Sequence, residues 1–155
     1  MTYKDSNAKA IKESCLRLLA RREHSQKELQ NKLLAKGLNK DDILPVLDEL
    51  AEQGWQSDIR YAESYARSRM LKGYGSLVIA YELRQNGADV IDLDALVQTV
   101  AGSWLALLEQ VYSKKYGCDE HLERQEWAKR SRFLLQRGFS STLINTLFSH
   151  LNIKF

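Results

Sequence analysis

Apolar residues recur along the chain at helical spacing, in a pattern that repeats about every fifty residues. Gly37, Gly87 and Gly138 mark the repeat and are separated by 50 and 51 residues. A leucine precedes each glycine by four residues, and apolar residues follow it at positions that form one face of a helix. The aligned positions are Leu33, Leu83 and Leu134; Leu38, Ala88 and Phe139; Ile43, Leu93 and Ile144; Val46-Leu47, Leu96-Val97 and Leu147-Phe148; and Leu50, Val100 and Leu151.

Each of these glycines is predicted to end one helix, because glycine adopts the left-handed conformation that other residues resist. Polar residues that cap helices follow within a few positions. The candidate caps are Asn39, Asp41 and Asp42 in the first copy, Asp89 and Asp92 in the second, and Ser140 and Ser141 in the third. Ser25 and Glu28 form a capping box that starts the helix before the first glycine.

One further amphipathic stretch precedes each helix pair, so the sequence predicts three tandem three-helix repeats. These stretches are 10–21, 59–70 and 104–116. The predicted boundaries are 1–8 for a flexible N-terminal tail and 9–57, 58–102 and 103–155 for the repeats. A helical triplet buries little apolar surface by itself, so we expect an all-α protein whose triplets stack into an elongated, curved solenoid.

Two features modify this pattern. Proline deep in a helix costs about 3 kcal/mol. The helix that contains Pro45 is therefore predicted to start at Asp42, which leaves the proline in the first turn. In the third copy, a longer middle helix is predicted from Asp119 to Arg137, and Arg130 takes a position that is apolar in the other two copies.

The composition favours a cytoplasmic, helical protein. Apolar residues make up 44% and charged residues 28% of the chain, which is typical of a soluble domain. Apolar runs such as 77–81 are far shorter than the ~20 residues that span a bilayer, and we expect no secretory signal. Cys15 and Cys118 are the only cysteines, which favours a reducing compartment without disulfides.

The net charge of +3 is modest, but the basic residues cluster. No acidic residue follows Glu126, and a second acid-free stretch runs from Ser64 to Tyr81. The basic residues of the two stretches are Lys129, Arg130, Arg132, Arg137 and Lys154, and Arg67, Arg69 and Lys72. Such surfaces indicate an anionic partner, either nucleic acid or an acidic protein surface, although ordinary solvated helix faces give the same pattern.

The sequence contains no motif typical of an enzyme. It lacks HExxH, G-x-S-x-G, Walker and GxGxxG motifs. Cys118 and His121 have metal-ligand spacing, but a structural zinc site needs four ligands, and we interpret 118–123 as a helix N-terminus with acidic residues. We therefore expect no catalysis, cofactor or metal, and a function that depends on a surface.

Short motifs occur in a fixed order along the chain. They are the run from Leu18 to Leu29, Lys32-Leu33-x-x-Lys36-Gly37, Ser57-Asp58-x-Arg60-Tyr61-Ala62, Arg67-Ser68-Arg69 with Lys72-Gly73-Tyr74-Gly75, Glu82-Leu83-x-x-Asn86-Gly87, Lys114-Lys115-Tyr116-Gly117 and Arg132-Phe133-Leu134-Leu135-x-Arg137-Gly138-Phe139. Together they resemble the RecX family of recombinase regulators, and the resemblance covers the chain from about Ala8 to Phe155. The chain departs from the family in its short N-terminal tail and at Met70-Leu71.

The resemblance implies an all-helical protein of three three-helix repeats that binds the RecA recombinase filament on DNA. RecX-like proteins lie in the filament groove across neighbouring protomers. There they restrain filament growth, ATP hydrolysis, strand exchange and the coprotease function that triggers the SOS response. They perform no reaction, and some also bind single- or double-stranded DNA directly.

Arginine and tyrosine commonly anchor interfaces, and they cluster with lysines at two turns of this chain. The predicted partner-binding residues are Arg67, Arg69, Lys72, Tyr74, Lys114, Lys115, Arg130, Arg132 and Arg137. Tyr74 could instead be a packed strut between repeats, and Arg130 could pair with Glu126 on its own helix. Three tryptophans are assigned to packing, in the core or between repeats: Trp55, Trp104 and Trp127.

Two other functions fit the same residues. One is a sequence-nonspecific DNA-binding protein built of helix-turn-helix-like units, whose affinity for bare DNA would fall steeply with salt. The other is a helical adaptor that binds neither DNA nor a filament. In every case we expect a monomer in the cytoplasm that does not bind membranes.

Overall fold

The computed structural model describes residues 3–88, 91–118 and 121–153, and this part of the chain folds into nine helices without a strand. The helices are α1 (Tyr3–Arg21), α2 (Gln26–Ala35), α3 (Lys40–Glu52), α4 (Asp58–Leu71), α5 (Ser76–Gln85), α6 (Leu93–Val100), α7 (Trp104–Tyr116), α8 (Arg124–Gln136) and α9 (Ser141–His150). The all-α repeat fold predicted from the sequence is confirmed.

In the first and third triplets, the third helix packs against the other two. Helix α3 contacts both α1 and α2, and α9 contacts both α7 and α8. The first triplet encloses a buried apolar core formed by Ile11, Cys15, Leu29, Leu33, Ile43, Val46, Leu47 and Leu50. Each large side chain buried in this way contributes about 1.5–3 kcal/mol relative to an exposed one. Burial raises the pKa of the Cys15 thiol to about 11, so this cysteine is a core residue without a reactive thiolate.

The three repeat glycines close their helices in the same way. Gly37, Gly87 and Gly138 have φ angles of +88°, +75° and +98°, in the region that favours glycine. The N–H of the next residue bonds back to the leucine that precedes the glycine by four positions. These bonds join Leu38 to Leu33 (3.3 Å), Ala88 to Leu83 (2.9 Å) and Phe139 to Leu134 (3.2 Å).

Side-chain caps start several helices as predicted. The Ser25 hydroxyl accepts a bond from the N–H of Glu28 at 3.0 Å, and the Glu28 carboxylate accepts one from the N–H of Ser25 at 3.2 Å. Asp92 caps α6 and Ser140 caps α9. The alternative cap Asp89 lies outside the described residues.

The predicted start of α3 at Asp42 is wrong. The helix begins at Lys40 with Asn39 as its N-cap, because the N–H groups of Asp42 and Ile43 both bond to the Asn39 carbonyl at 3.1 Å. Pro45 therefore lies beyond the first turn. Because proline has no N–H, the helix lacks one backbone hydrogen bond at Pro45. The helix tolerates this loss near its N-terminus.

Two other predicted boundaries differ from the structure. Helix α1 begins at Tyr3, so residues 3–8 are helical and are not the predicted tail, and Ala8 packs against the first core. The longer middle helix of the third copy is α8, which has 13 residues against 10 in α2 and α5. It begins at Arg124 and not at Asp119, which lies outside the described residues.

The tryptophans do not all pack as expected. Trp55 is 58% exposed, so its assignment to packing is wrong. Trp104 is half-buried and donates its Nε1–H to Asp94 at 2.8 Å. Trp127 is half-buried and its ring lies 5.9 Å from that of Phe148.

The chain forms two compact units. The first comprises Met1–Ser64 and Leu83–Ile91, and the second comprises Tyr65–Glu82 and Asp92–Phe155. All nine residues predicted to bind a partner belong to the second unit. The predicted site residues therefore lie within one compact unit.

Candidate partner-binding cleft

Four of the predicted residues line one cleft in the second unit. Lys72 follows α4, Lys114 and Lys115 lie in the last turn of α7, and Arg137 is the C-cap residue of α8. These side chains surround a cavity of about 470 Å³, which we call the basic cleft. Its apolar wall consists of Met70, Leu71, Val100, Leu107, Val111 and Phe133. None of the described residues that line it is acidic, so the cleft carries positive charge over an apolar surface.

A close backbone contact between two turns builds this cleft. The N–H of Gly75 donates to the carbonyl of Arg137 at 2.7 Å, and the N–H of Leu77 donates to the carbonyl of Gly138 at 3.0 Å. A Cβ atom on Gly75 would lie 2.5 Å from the Gly138 oxygen, so a larger residue does not fit there. The Arg137 side chain adds a bond from Nη1 to the Lys72 carbonyl at 3.0 Å.

Tyr74 is held by two arginines. The guanidinium carbons of Arg69 and Arg137 lie 3.7 and 4.6 Å from the centroid of its ring. Arg69 also pairs with Glu82 at 3.0 Å, and Glu82 accepts a bond from the Tyr65 hydroxyl at 2.6 Å. Cation–π contacts of this kind contribute about 0.5–2 kcal/mol. The geometry favours the interpretation of Tyr74 as a packed strut.

Arg130 lies in the interior. It is 6% exposed and occupies the position that the fully buried Leu29 and Ile79 hold in the other copies. Its Nη1 donates to the Tyr112 hydroxyl at 2.8 Å, and its Nε donates to Glu126 at 3.0 Å. The alternative pairing with Glu126 is therefore confirmed. These contacts use the guanidinium inside the fold, which argues against a direct contact with a partner.

The other cations are at the surface. Lys72, Lys114 and Lys115 are exposed at the cleft. Arg67 and Arg132 are exposed but do not line it. The structure thus separates the nine predicted residues into exposed cations, of which Lys115 also lies over the Phe133 ring, and a packed set, which comprises Arg69, Tyr74, Arg130 and Arg137.

Phe133, which lines the cleft, belongs to a cluster of aromatic side chains. The ring of Tyr116 lies 5.3 Å from that of Tyr112 and 5.9 Å from that of Phe133. Burial raises the pKa of Tyr116, so this phenol stays neutral near physiological pH. Phe133 was missed by sequence reasoning, and its equivalents in the other copies are Lys32 and Glu82. An aromatic residue at an otherwise charged repeat position was the signal that could have found it.

Neither a metal site nor a membrane span is found within the described residues. Across 3–88, 91–118 and 121–153, no three His, Cys, Asp or Glu side chains come together in a way that could hold a metal ion. In the same part of the chain, no helix combines the length and the apolar character needed to cross a membrane.

Comparison with known proteins agrees with the fold and the motifs. The chain matches the family descriptions of the first, second and third three-helix domains of RecX over residues 12–50, 57–89 and 105–148. It is 40% identical over 140 residues to the regulatory protein RecX of Pseudomonas entomophila, covering 90% of each chain. It is 36% identical over 141 residues to the RecX of Halorhodospira halophila, covering 91% of this chain and 88% of that protein.

Solved structures give the same result. The crystal structure of RecX from Lactobacillus salivarius is similar with a TM-score of 0.76 and 26% identity, over 97% of this chain and 99% of that one. A second crystal structure of a regulatory protein RecX shares the fold with a TM-score of 0.74 at 22% identity, over 94% of this chain and 73% of that one. By its three matched domains, its sequence and its fold, the chain belongs to the RecX family of regulatory proteins.

Proposed function

We propose that this protein is a negative regulator of the RecA recombinase. It binds the RecA–DNA filament along its groove and inhibits filament extension, ATP hydrolysis, strand exchange and coprotease function. It acts in the cytoplasm, in recombination, DNA repair and the SOS response, and performs no reaction itself. The observation that carries the proposal, beside family membership, is the convergence of Lys72, Lys114, Lys115 and Arg137 on one cleft without a lining carboxylate.

The physical argument is that a filament offers many copies of the same anionic surface. A protein that contacts neighbouring protomers gains avidity without a single strong site. The exposed cations Arg67 and Arg132 extend the charged surface beyond the basic cleft. Electrostatic attraction of this kind accelerates association and selects an acidic partner.

A sequence-nonspecific DNA-binding protein is the second candidate. The exposed positions of Arg67, Arg132 and the cleft lysines favour it, because lysine and arginine neutralise phosphates. Binding of this kind releases counterions, so the logarithm of the affinity falls linearly with the logarithm of the salt concentration. A filament regulator instead prefers recombinase-coated DNA to bare DNA.

Fluorescence anisotropy with a labelled single-stranded oligonucleotide separates the two candidates. The protein is titrated onto the bare oligonucleotide and onto the same oligonucleotide coated with RecA and a slowly hydrolysed ATP analogue, over a range of salt. The regulator proposal predicts affinity for the coated strand at least roughly tenfold above that for the bare strand. Equal affinities with the same steep salt slope would favour the DNA-binding alternative and contradict the proposal.

A further inference from the structure

The basic cleft combines two kinds of surface that a single binding partner can satisfy together. Lys114 and Lys115 lie beside Lys72 at its mouth, while Val111 and Leu107 form part of the apolar wall. Leu71, at the end of α4, is 73% exposed although it belongs to this wall. The volume of about 470 Å³ falls in the range of sites that hold a ligand, about 300–1,000 Å³.

The character of the wall argues against a nucleic-acid strand as the occupant. Proteins that bind single strands stack the bases on aromatic faces. Phe133 is the aromatic side chain of the lining, and two cations already lie over its ring: Lys115 Nζ at 3.6 Å and the Arg137 guanidinium carbon at 5.2 Å from the centroid. The remaining apolar wall is aliphatic, and it gains nothing from contact with phosphates.

The charges at the mouth define the complementary partner. Arg137 is held by the Lys72 carbonyl and by the Tyr74 ring, so its main role is to shape the cleft. Lys72, Lys114 and Lys115 are exposed residues, and the ammonium group of Lys115 also lies over the Phe133 ring. Carboxylates pair with ammonium groups, so the complementary partner carries aspartate or glutamate residues. An apolar side chain between those carboxylates would cover Leu71 and Val111.

We propose that the basic cleft holds an acidic peptide segment of a partner protein, with an apolar side chain in the cavity and aspartate or glutamate residues on both sides. The apolar side chain supplies most of the affinity, since exposed ion pairs contribute little. The carboxylates make binding selective for an acidic segment, because they pair with the lysines of the cleft. This inference rests on the proposed function, because it names the chemistry of the recombinase surface that the regulator contacts.

The test uses a short fluorescein-labelled peptide in which a Leu-Phe pair is flanked by Asp and Glu residues. One control peptide replaces Leu-Phe with Ser-Ser, and a second replaces the acidic residues with Asn and Gln. We expect the full-length protein to bind the first peptide at least roughly tenfold more tightly than either control. Equal binding of all three peptides, or binding of none, would overturn the inference, as would an oligo-dT strand that displaces the peptide by occupying the cleft.

Three variants locate the site. Lys114→Glu with Lys115→Glu removes the charge of the mouth, and Leu71→Ser removes exposed apolar surface from the wall without touching the core. Each is expected to weaken peptide binding at least roughly tenfold, with an unchanged circular-dichroism spectrum. The control, Lys9→Glu with Arg17→Glu, makes the same charge change on exposed positions of α1 and is expected to bind normally. Equal weakening by the control would show a nonspecific charge effect and overturn the inference.

Binding of RecA-coated DNA by the same protein separates the two levels of the proposal. If the protein binds the coated strand but no peptide, the inference about the cleft is wrong and the proposed function stands. If it binds the acidic peptide but has no preference for the coated strand, the proposed function is wrong and the cleft is a peptide site for another partner.

Discussion

The guanidinium of Arg130 and the hydroxyl of Tyr112 meet in the core of the third triplet, 2.8 Å apart. Both side chains are buried, at 6% and 0% exposure. The position of Arg130 in the repeat is held in the other two copies by Leu29 and Ile79, which are fully buried and apolar. The third repeat thus buries a charged side chain where the other copies bury an apolar one, and this is favourable because Arg130 and the Tyr112 hydroxyl satisfy each other.

Removing this arginine should destabilise the protein. Arg130→Ala takes the donor from the Tyr112 hydroxyl and leaves a cavity, so we expect the free energy of unfolding to fall by about 2–3 kcal/mol. Urea denaturation followed by circular dichroism measures the change. The control is Lys129→Ala, at the exposed neighbouring position, which should change stability by no more than about 0.5 kcal/mol. Equal stabilities of the two variants would contradict the buried position of Arg130.

The close approach of two turns gives a second prediction. In Gly75→Ala the new methyl group would lie 2.5 Å from the carbonyl oxygen of Gly138, so the turns must separate. We expect a loss of about 1–3 kcal/mol in the free energy of unfolding, measured by urea denaturation. Amide NMR shifts should also move at Leu77 and Gly138, which lie at this contact.

Gly37→Ala is the matched control for that experiment. A methyl group on Gly37 would have no atom within 4 Å, and the φ of this residue is +88°. Its cost is therefore backbone strain of about 1–2 kcal/mol, and the shifts at Leu77 and Gly138 should not move. If Gly75→Ala leaves those shifts unchanged as well, the two turns do not approach each other as described.

The burial of His24 makes the free energy of unfolding depend on pH. It is 1% exposed, its Nδ1 donates to the Arg22 carbonyl at 3.0 Å, and its Nε2 accepts from the Lys32 ammonium at 3.0 Å. Burial lowers the pKa of His24 and outweighs the hydrogen bond to the Arg22 carbonyl, which raises it. The positive charges of Arg22 and Lys32 lower the pKa further, while Glu28 opposes them. The neutral ring is therefore the form that fits the fold.

The sign of the effect follows from proton binding. The unfolded chain has a histidine pKa of about 6.5, above the folded value, so it binds the proton more readily. Stability should be constant above that pH and should fall as the pH drops from about 6.5 towards the folded pKa. NMR titration of the His24 ring and urea denaturation at several pH values measure both quantities. A measured His24 pKa above about 6.5 would contradict the assignment. So would a free energy of unfolding that rises as the pH falls through this window in the wild type but not in His24→Gln.

The repeat could be predicted from the sequence because its signals join residues that are close along the chain. The leucine and glycine that close each helix are four residues apart, and the position of Arg130 in the repeat already placed it with Leu29 and Ile79. The start of α3 was predicted wrongly, since avoidance of proline in a helix was given more weight than the capping geometry of Asn39.

The cleft could not be predicted in the same way. It depends on contacts such as that between Gly75 and Arg137, which are distant in sequence and carry no periodic signal. Composition identified the basic residues but could not separate Arg69, which packs on Tyr74 and pairs with Glu82, from the exposed Arg67. Burial and pairing of charged side chains are settled by tertiary structure.

That distinction leads to a prediction about charge reversal. Arg69→Glu would place a second carboxylate beside Glu82, so we expect a clear loss of thermal stability. Lys114→Glu with Lys115→Glu changes exposed residues and loses the contact of Lys115 with the Phe133 ring, so it should lower the melting temperature less than Arg69→Glu does. Differential scanning calorimetry checks both. A stable Arg69→Glu variant would contradict the structural role of that ion pair.

Inhibition of the RecA filament is the most direct test of the regulator proposal. The ATPase of a growing filament is measured with the protein added well below the concentration of recombinase, beside the Lys114→Glu, Lys115→Glu variant and the α1 control variant Lys9→Glu, Arg17→Glu. The proposal predicts that the wild type and the α1 control reduce ATP hydrolysis, while the cleft variant does so weakly. An unchanged rate with wild-type protein, even in excess over RecA, would contradict it.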